Sequence, residues 1–412
     1  MRKIKLGIIG VGNRGKAMMK TFLAIPEYDI VAVSDVYEDR MEEAAQIVRD
    51  LRNKEVKKYS NYLDLLHDDE VKAVFVASSW NQHISQAIDA MKAKKIVGIE
   101  VGGAYTVQEC WDLVKTYEET KTPIMMMENC CYDRFELLST SLVRRGLLGE
   151  IVHCKGAYGH DIRDEVIGGH VNRHYRLDNY LLRNCENYPT HELGPIARLL
   201  NINRGNRMTK LVSVASKARG MAAYALTKHN PDPSLVGVTF NQGDIVNTII
   251  TCENGETISL TLDTTLPKYY SREFTVRGTK GMTIEETNMV VLEDDMPLHE
   301  FYDPELTIGK YLNNANNYSQ YLPSYWRNIT EEAKALGHGG MDYYMCKEFA
   351  KAIINKEEMP IDVYDAASWM VITALSADSI AMGGAPVAIP DFTNGKWTVR
   401  KPKDVVDLEN LD

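Results

Sequence analysis

The chain has 412 residues, 44% of them hydrophobic and 25% charged, which predicts a globular protein of two or three domains. Its net charge of -10 argues against general nucleic-acid binding, which requires a basic surface. No apolar run reaches the roughly 18 to 20 residues that are needed to span a bilayer. We therefore expect neither nucleic acid nor a membrane among its partners.

The N-terminal segment MRKIKLGIIGVG places basic residues before a short apolar run that passes directly into glycines. This pattern predicts a first β-strand and not a signal peptide, so we expect a cytoplasmic protein. If a leader has been removed, the protein would instead be periplasmic or secreted.

The sequence contains seven cysteines without regular spacing, at positions 110, 130, 131, 154, 185, 252 and 346. An odd number in this arrangement is a poor disulfide framework, so we predict buried reduced thiols. No spacing of His, Cys and Asp matches a zinc or calcium site, and we predict no metal.

Residues 1–128 alternate short apolar segments with longer helical ones. The predicted strands are 5–9, 30–34, 71–77, 96–100 and 124–127. The predicted helices are 16–25, 38–52, 82–92 and 107–120. Repeated strand–helix units of this length predict an α/β Rossmann domain with a doubly wound parallel sheet.

A dinucleotide-binding fingerprint lies between the first predicted strand and helix, with glycines at Gly10, Gly12 and Gly15. Such glycines allow close backbone approach to a pyrophosphate, whose charge faces the helix N-terminus. Asp35 stands 20 residues beyond the last glycine, where its carboxylate can bind the adenosine ribose and repel a 2'-phosphate. We therefore predict NAD as the cofactor; the alternative is a glycine turn that binds no ligand.

Three further loops follow predicted strands, at 80–83, 100–103 and 128–129. Ligands of doubly wound sheets bind beyond the carboxyl ends of the strands, so these loops are candidate cofactor contacts. Trp80 could stack near the nicotinamide ribose, and Asn129 could bond to its polar edge. Plain packing for Trp80 and a helix-start role for His83 are the alternatives.

The sequence pattern of residues 129–390 predicts an α+β domain, and we expect this domain to bind the substrate and to form the oligomer. Its predicted strands are 150–158, 210–216, 244–252, 257–263 and 272–278. Turn signals such as Asn254-Gly255 indicate a large open, mainly antiparallel sheet. An exposed sheet face usually needs covering, so we expect a homo-oligomer.

The rest of this region is less regular. Late helices are predicted at 340–355 and 363–382, with packing back onto the Rossmann domain as an alternative to packing within this region. Segment 160–187 is rich in charge, His and Tyr and is predicted to be mostly loop. Residues 391–412 form a turn-rich C-terminal tail.

These features resemble the glucose-fructose oxidoreductase and inositol dehydrogenase superfamily. More closely, the chain resembles glycoside hydrolase family 109, the NAD-dependent α-N-acetylgalactosaminidase family, over nearly its whole length. The resemblance is carried by GVGNRG at 10–15, WNQH at 80–83, EV at 100–101, MMEN at 126–129, YGHD at 158–161, YPTHELGP at 188–195, NINRGNR at 201–207, ASKARG at 215–220, GHGGMD at 337–342 and PDFTNG at 390–395.

The resemblance implies a role for particular residues. Besides the fingerprint glycines, positions matching cofactor contacts are Asn13, Arg14, Asp35, Trp80, His83, Glu100, Val101 and Asn129. Positions matching contacts to a carbohydrate substrate are Tyr158, Arg176, Tyr188, Pro189, Thr190, His191 and Tyr270. We expect His191 to be the main acid–base residue, with Tyr158 and Tyr270 assisting. Arg176 would hold a substrate hydroxyl or carbonyl, and Tyr188 would orient the sugar.

The residues themselves indicate why an ordinary dehydrogenase site is absent. Related sugar dehydrogenases usually carry a lysine at the position of Val101 and an aspartate at that of Asn187. Valine cannot move a proton, so acid–base work must come from elsewhere. His191 has a suitable ordinary pKa of about 6.5. Tyrosines could act if their pKa, ordinarily about 10, were lowered locally.

The mechanism implied by the resemblance is redox-assisted elimination. NAD takes a hydride from C3 of the sugar, a base removes the C2 proton, and the glycosidic oxygen leaves C1. Water then adds to the double bond, and the hydride returns to C3. This scheme needs no paired carboxylates, unlike most glycosidases. The alternatives are an NAD-dependent oxidoreductase of a sugar or polyol with His191 as base, and a non-catalytic sugar-nucleotide sensor.

Two departures from the family concern the sugar. Segment 161–175 is short where family members often carry an insertion, and Glu192 stands where a small residue is common. Both are expected to border the sugar pocket, so they bear on which sugar is bound and leave the NAD site unchanged.

Overall fold

A computed structural model describes residues 3–295 and 309–408. The chain divides into two compact units. Unit 1 comprises Met1–Tyr132 and Ile329–Val371, and unit 2 comprises Asp133–Asn328 and Ile372–Asp412. Within the described residues, each unit contains one β-sheet, of six strands in unit 1 and eight in unit 2. The predicted fold class, a Rossmann domain followed by an α+β region, is confirmed.

The described strands and helices are numbered in chain order. The strands are β1 Ile4–Ile9, β2 Tyr28–Ser34, β3 Lys57–Tyr59, β4 Ala73–Val76, β5 Ile96–Ile99, β6 Ile124–Met126, β7 Ile151–Gly159, β8 Met208–Ala215, β9 Ile245–Cys252, β10 Thr257–Asp263, β11 Thr275–Gly278, β12 Gly281–Ile284, β13 Met289–Leu292 and β14 Val387–Ala388. The helices are α1 Asn13–Ala24, α2 Glu38–Arg52, α3 Tyr62–His67, α4 Trp80–Lys92, α5 Val107–Thr120, α6 Arg134–Arg144, α7 Arg163–Ile167, α8 Gly169–Asn172, α9 Arg176–Leu182, α10 Thr190–Leu199, α11 Gly220–Ala225, α12 Gly309–Tyr311, α13 Ser324–Arg327, α14 Glu331–Lys334, α15 Met341–Asn355 and α16 Val363–Ala381.

Short 3₁₀ turns connect several of these elements. They are Asn129–Tyr132, Pro233–Leu235, Glu293–Asp295, Asn314–Tyr321, His338–Gly340 and Lys396–Thr398. Among the helices of the described residues, none combines the length and the hydropathy that a membrane span requires.

The sheet of unit 1 is wholly parallel and has the strand order β3-β2-β1-β4-β5-β6. The five predicted strands are present, and their apolar runs are buried; the four residues of β4, for example, are all buried. The order reverses direction at β1, so the fingerprint after β1 lies at the switch point where doubly wound sheets bind ligands.

The later segment of unit 1 joins the same fold. Helix α15 is anchored by the Tyr28 hydroxyl, which donates to the carbonyl of Cys346 at 2.6 Å. The backbone N–H of Met126 donates to the carbonyl of Ile361, and that of Ala104 donates to the carbonyl of Met370. These bonds fix α15 and the start of α16 to the parallel sheet.

The sheet of unit 2 has the order β13-β12-β11-β7-β10-β9-β8-β14. Its pairs are antiparallel except for β7 with β10, which run parallel, so the predicted mainly antiparallel sheet is confirmed. The turn at Asn254-Gly255 joins β9 to β10, and Gly255 supplies the positive φ of +99° that this turn requires.

Segment 160–187 was predicted to be mostly loop, and this prediction is wrong. It contains α7, α8 and α9; α7 buries Val166 and Ile167, and α9 buries Leu177 and Tyr180, in one apolar cluster. Helices of four to seven residues complete fewer than two turns, too short for a helical period to show in the sequence.

All seven cysteines lie in the described ranges, where they are buried and outside any disulfide, as predicted. Burial raises the pKa of the Cys185 thiol to about 12, which keeps it protonated and unreactive.

Candidate functional site

The glycine turn after β1 fits a bound pyrophosphate. A Cβ on Gly10, whose φ is +88°, would lie 2.5 Å from the Ser78 nitrogen, and one on Gly15 would lie 2.0 Å from the Gly10 oxygen. Only glycine is tolerated at both positions. Gly12 is the N-cap of α1 and has no side chain to cap the helix, so the first-turn N–H groups suit an anionic ligand.

Asp35 directly follows β2 and forms a hydrogen bond that stabilises the glycine turn after β1. Its carboxylate accepts from the backbone N–H of Val11 at 2.9 Å and from that of Tyr37 at 3.0 Å. The predicted ribose contact therefore belongs to a carboxylate that the backbone already holds in position.

Arg14, in the first turn of α1, brings predicted and unpredicted residues together. Its Nε donates to Glu100 at 2.8 Å, and its Nη1 and Nη2 donate to Asp342 at 2.7 and 3.0 Å. Asn129 donates to the same Asp342 carboxylate at 2.8 Å, and His338 Nδ1 lies 2.9 Å from it. Arg14 thus joins Glu100 directly and Asn129 through Asp342.

Burial alone would raise the pKa of Asp342, but the Arg14 guanidinium and the His338 ring hold it well below its ordinary range. Asp342 was not predicted as a site residue. Its only signal was its place in the run GHGGMD at the start of α15.

Trp80 and His83 occupy the first turn of α4. Trp80 is buried and packs so closely on Gly102 that a Cβ there would lie 2.7 Å from the Trp80 ring. His83 Nε2 donates to the Ser78 carbonyl at 3.0 Å, and burial lowers the pKa of His83 to about 4. Val101 is also buried. These residues shape the loops next to the fingerprint, and their contact with a cofactor remains a prediction.

In unit 2, Tyr158 from the end of β7 meets Tyr188 and His191 from the start of α10. The ring centroids are 4.6 Å apart for Tyr158 and Tyr188, 4.8 Å for Tyr188 and His191, and 5.6 Å for Tyr158 and His191. Pro189 is the N-cap residue of α10, and Thr190 is its buried first residue. Three predicted site residues from two separate segments of the sequence therefore form one cluster.

Arg176 adds a cation to this cluster. Its guanidinium lies 5.1 Å from the centre of the Tyr188 ring, and its Nε is 2.8 Å from the Glu165 carboxylate. Burial disfavours the charge, but the nearby Tyr158 and Glu165 raise the pKa of Arg176 well above its ordinary value. The side chain is positioned by α9, within the segment that was predicted to be a loop.

Tyr270 is linked to the cluster by His160. The rings of His160 and Tyr270 are 5.1 Å apart, and His160 Nδ1 lies 3.2 Å from the Tyr158 hydroxyl. Arg272 Nη1 donates to the Tyr270 hydroxyl at 3.0 Å. Neither His160 nor Arg272 was predicted, although His160 lies in the YGHD run.

Two buried carboxyl groups flank the tyrosine–histidine cluster. Glu186 is fully buried and Glu192 is 1% exposed. Burial raises the pKa of Glu186 to about 8, although the Tyr188 N–H and the Glu192 side chain both oppose this rise. Glu186 is therefore protonated near neutral pH. It carried no sequence signal, because nothing in the chain predicts which glutamates are buried.

The fold and these sites define a class: an NAD-binding Rossmann domain joined to an α+β unit that carries a tyrosine–histidine–arginine cluster. Residues 4–128 match the oxidoreductase family with an NAD-binding Rossmann fold, and residues 132–399 match the C-terminal domain of glycosyl hydrolase 109. The chain belongs to glycosyl hydrolase family 109, a family of glycosidases with an NAD-binding domain.

Relatives are similar over nearly the full length. An α-N-acetylgalactosaminidase from Tannerella forsythia is 36% identical, covering 97% of this chain and 88% of the relative. A glycosyl hydrolase family 109 protein from Stenotrophomonas maltophilia is 37% identical, covering 97% and 91%. Among solved structures, levoglucosan dehydrogenase in complex with NADH and levoglucosan superposes with a TM-score of 0.68 at 18% identity, covering 94% and 100%. This last similarity concerns the fold alone.

Proposed function

We propose that this protein hydrolyses the glycosidic bond of an N-acetylgalactosamine-like or related glycoside and uses one bound NAD in every turnover. The observation that carries the proposal is the cluster of Tyr158, Tyr188 and His191 with the Arg176 cation beside it. Such a cluster offers proton-transfer groups and a hydroxyl-binding cation. The relative named an α-N-acetylgalactosaminidase supports the choice of sugar.

The cofactor would be held by unit 1. The uncapped N-terminus of α1 would bind the pyrophosphate, and Asp35 would bind the adenosine ribose. Residues expected to complete the site are Gly10, Gly12, Asn13, Arg14, Gly15, Trp80, His83, Glu100, Val101 and Asn129. When bound, NAD supplies a reversible hydride acceptor for C3 of the sugar.

The chain's own residues would supply the proton transfers. A ketone at C3 acidifies the C2 proton, and a base that removes it allows the glycosidic oxygen to leave C1. We assign the main acid–base role to His191, assisted by Tyr158 and Tyr270. Arg176 would hold the oxygen at C3, because a guanidinium stabilises the negative charge that develops there. Tyr188, Pro189 and Thr190 would orient the sugar.

The test uses purified protein without added cofactor. Nitrophenol release is measured from α- and β-linked N-acetylgalactosamine, galactose, glucose and N-acetylglucosamine while nicotinamide absorbance is followed. We expect release without net accumulation of NADH, and a kcat about 10²- to 10⁴-fold lower in His191→Ala because a general acid–base group is lost.

The control is His229→Ala, which changes an exposed histidine of unit 2 that stacks on Tyr224 and should leave the rate unchanged. If no glycoside is cleaved but NADH forms steadily once NAD and free sugars are supplied, the protein is a sugar dehydrogenase and the proposal is wrong.

A further inference from the structure

The backbone pairing at the end of β7 brings a second tyrosine, Tyr270, to the region of Tyr158. Gly159 pairs with Ser271 through two backbone hydrogen bonds of 3.0 and 2.9 Å. A Cβ on Gly159 would lie 2.7 Å from Lys268 Cε and 3.0 Å from the Ser271 oxygen, so this approach favours glycine. The pairing places Tyr270 next to the residue that follows Gly159, which is His160.

His160 contacts both tyrosines. Its Nδ1 lies 3.2 Å from the Tyr158 hydroxyl, and the two rings meet edge to face at 5.7 Å. On its other side the imidazole meets the Tyr270 ring at 5.1 Å, with an angle of 87° between the ring planes. The backbone N–H of His160 donates to the Asp263 carbonyl at 2.9 Å, and this bond holds the backbone from which the imidazole projects.

The charged groups around His160 favour a neutral ring. Burial, the Arg176 guanidinium of α9 and His191 of α10 lower the pKa of His160 below its ordinary 6.5. Glu165 of α7 and the neighbouring Asp161 oppose this shift and only partly offset it. A neutral imidazole has one nitrogen without a proton, and that nitrogen accepts hydrogen bonds.

We propose that His160 accepts the hydroxyl proton of Tyr158 and thereby makes Tyr158 a base, a role that rests on the proposed function. The O–H bond of Tyr158 breaks, an N–H bond forms at His160 Nδ1, and the electron pair stays on the phenoxide oxygen. This oxygen takes a proton from the substrate in the same step, because a ring with a lowered pKa cannot hold the proton of tyrosine against a free phenoxide, and the imidazolium then returns its own proton to solvent. Arg176, whose charge interacts with Tyr158, stabilises the phenoxide.

His160 acts through Tyr158 and is therefore a positioning residue, so the test is a pH profile of His160→Gln. We expect kcat to fall about 10- to 100-fold with KM nearly unchanged, because one proton acceptor is lost. In the wild-type protein, activity should fall as the pH drops through the pKa of His160, since the protonated ring cannot accept the Tyr158 proton. His160→Gln should lose this part of the acid limb.

His153→Gln is the matched control. His153 lies on β7, the strand that ends directly before His160, and its Nδ1 is 2.8 Å from the Thr257 hydroxyl. Burial lowers the pKa of His153, as it does that of His160. His153 is six residues from Gly159 along β7, about 20 Å away at the usual rise of a strand. We expect the rate and pH profile of this variant to match those of the wild-type protein.

A second measurement does not depend on glycosidase activity. ¹⁵N NMR of labelled histidine, assigned through His160→Gln, reports which ring nitrogen carries the proton. We expect Nδ1 of His160 to be unprotonated at neutral pH and its signal to move in Tyr158→Phe. A proton on Nδ1, or an unchanged kcat and acid limb in His160→Gln, would overturn the assignment. A wild-type protein without glycosidase activity would instead overturn the proposed function.

Discussion

Glu186 is a buried acid whose charge state links the site to the stability of the fold. Burial raises its pKa from 4.5 to about 8, so the folded protein binds this proton more tightly than the unfolded chain does. The resulting stabilisation is fully present below pH 4.5 and is lost as the pH rises towards 8. Between pH 6 and pH 8 the titration of this group should lower the free energy of unfolding by about 1–3 kcal/mol.

Glu186→Gln should remove this dependence, since glutamine keeps the size of the protonated acid but does not titrate. Urea unfolding at pH 6 and pH 8 measures the difference. Glu253→Gln is the control, because it changes a half-exposed carboxylate of unit 2 that pairs with Arg207. If Glu186→Gln loses as much unfolding free energy between pH 6 and pH 8 as the wild-type protein does, the prediction is wrong.

The site residues differ in how far the sequence could reveal them. Tyr158, Tyr188 and His191 lie in distinctive runs, and the structure brings their rings together. Arg176 joins them from a segment whose helices the sequence did not predict. Asp342 and Arg14 are distant in the chain, and so are His160 and Tyr270, whereas Arg272 meets the Tyr270 hydroxyl through a local side-chain geometry. Neither kind of contact can be read from one sequence.

The contact between α10 and β7 sets the position of His191. Gly156 on β7 lies directly under Glu192, where an added Cβ would be 2.8 Å from Glu192 Cβ and 3.2 Å from the Glu192 oxygen. Gly156→Ala should therefore push the first turn of α10 away from the sheet and displace His191. We expect a loss of about 1–3 kcal/mol in unfolding free energy and a lower kcat.

Chemical denaturation and the nitrophenyl glycoside assay measure these two effects. Gly309→Ala in the same unit is the control, because no described atom lies within 4 Å of the Cβ that it would add. If Gly156→Ala matches the wild-type protein in both measurements, the position of α10 does not depend on this contact.

Elements with strong local patterns were predictable, and short polar ones were not. β1 and β4 are nearly continuous apolar runs, as expected of strands buried on both faces of a parallel sheet. β3 consists of Lys57, Lys58 and Tyr59, which resemble a surface loop until they pair with β2. Helices α7 and α9 are stabilised by their shared apolar cluster, a tertiary effect that overrides weak local preference.

At the scale of the whole molecule, one face of the unit 2 sheet carries exposed apolar side chains that a second copy of the chain could cover. On β8 and β9, Val212 pairs with Ile249 and Val214 with Asn247, and these side chains point to the same face. Ile249 is 45% exposed and Val214 is 52% exposed. Apolar side chains that are grouped on an exposed sheet face commonly mark an association surface. We therefore predict that this face is covered by a second copy of the chain.

Light scattering coupled to size-exclusion chromatography tests this prediction. We expect the wild-type protein to have at least twice the mass of one chain, and Ile249→Lys to shift it towards a single chain, because a buried unpaired charge opposes association. Leu51→Lys is the matched control, since Leu51 is 54% exposed on α2 of unit 1 and should leave the mass unchanged. A wild-type mass equal to one chain would reject the prediction. An Ile249→Lys protein that keeps the wild-type mass would mean that a different surface forms the contact.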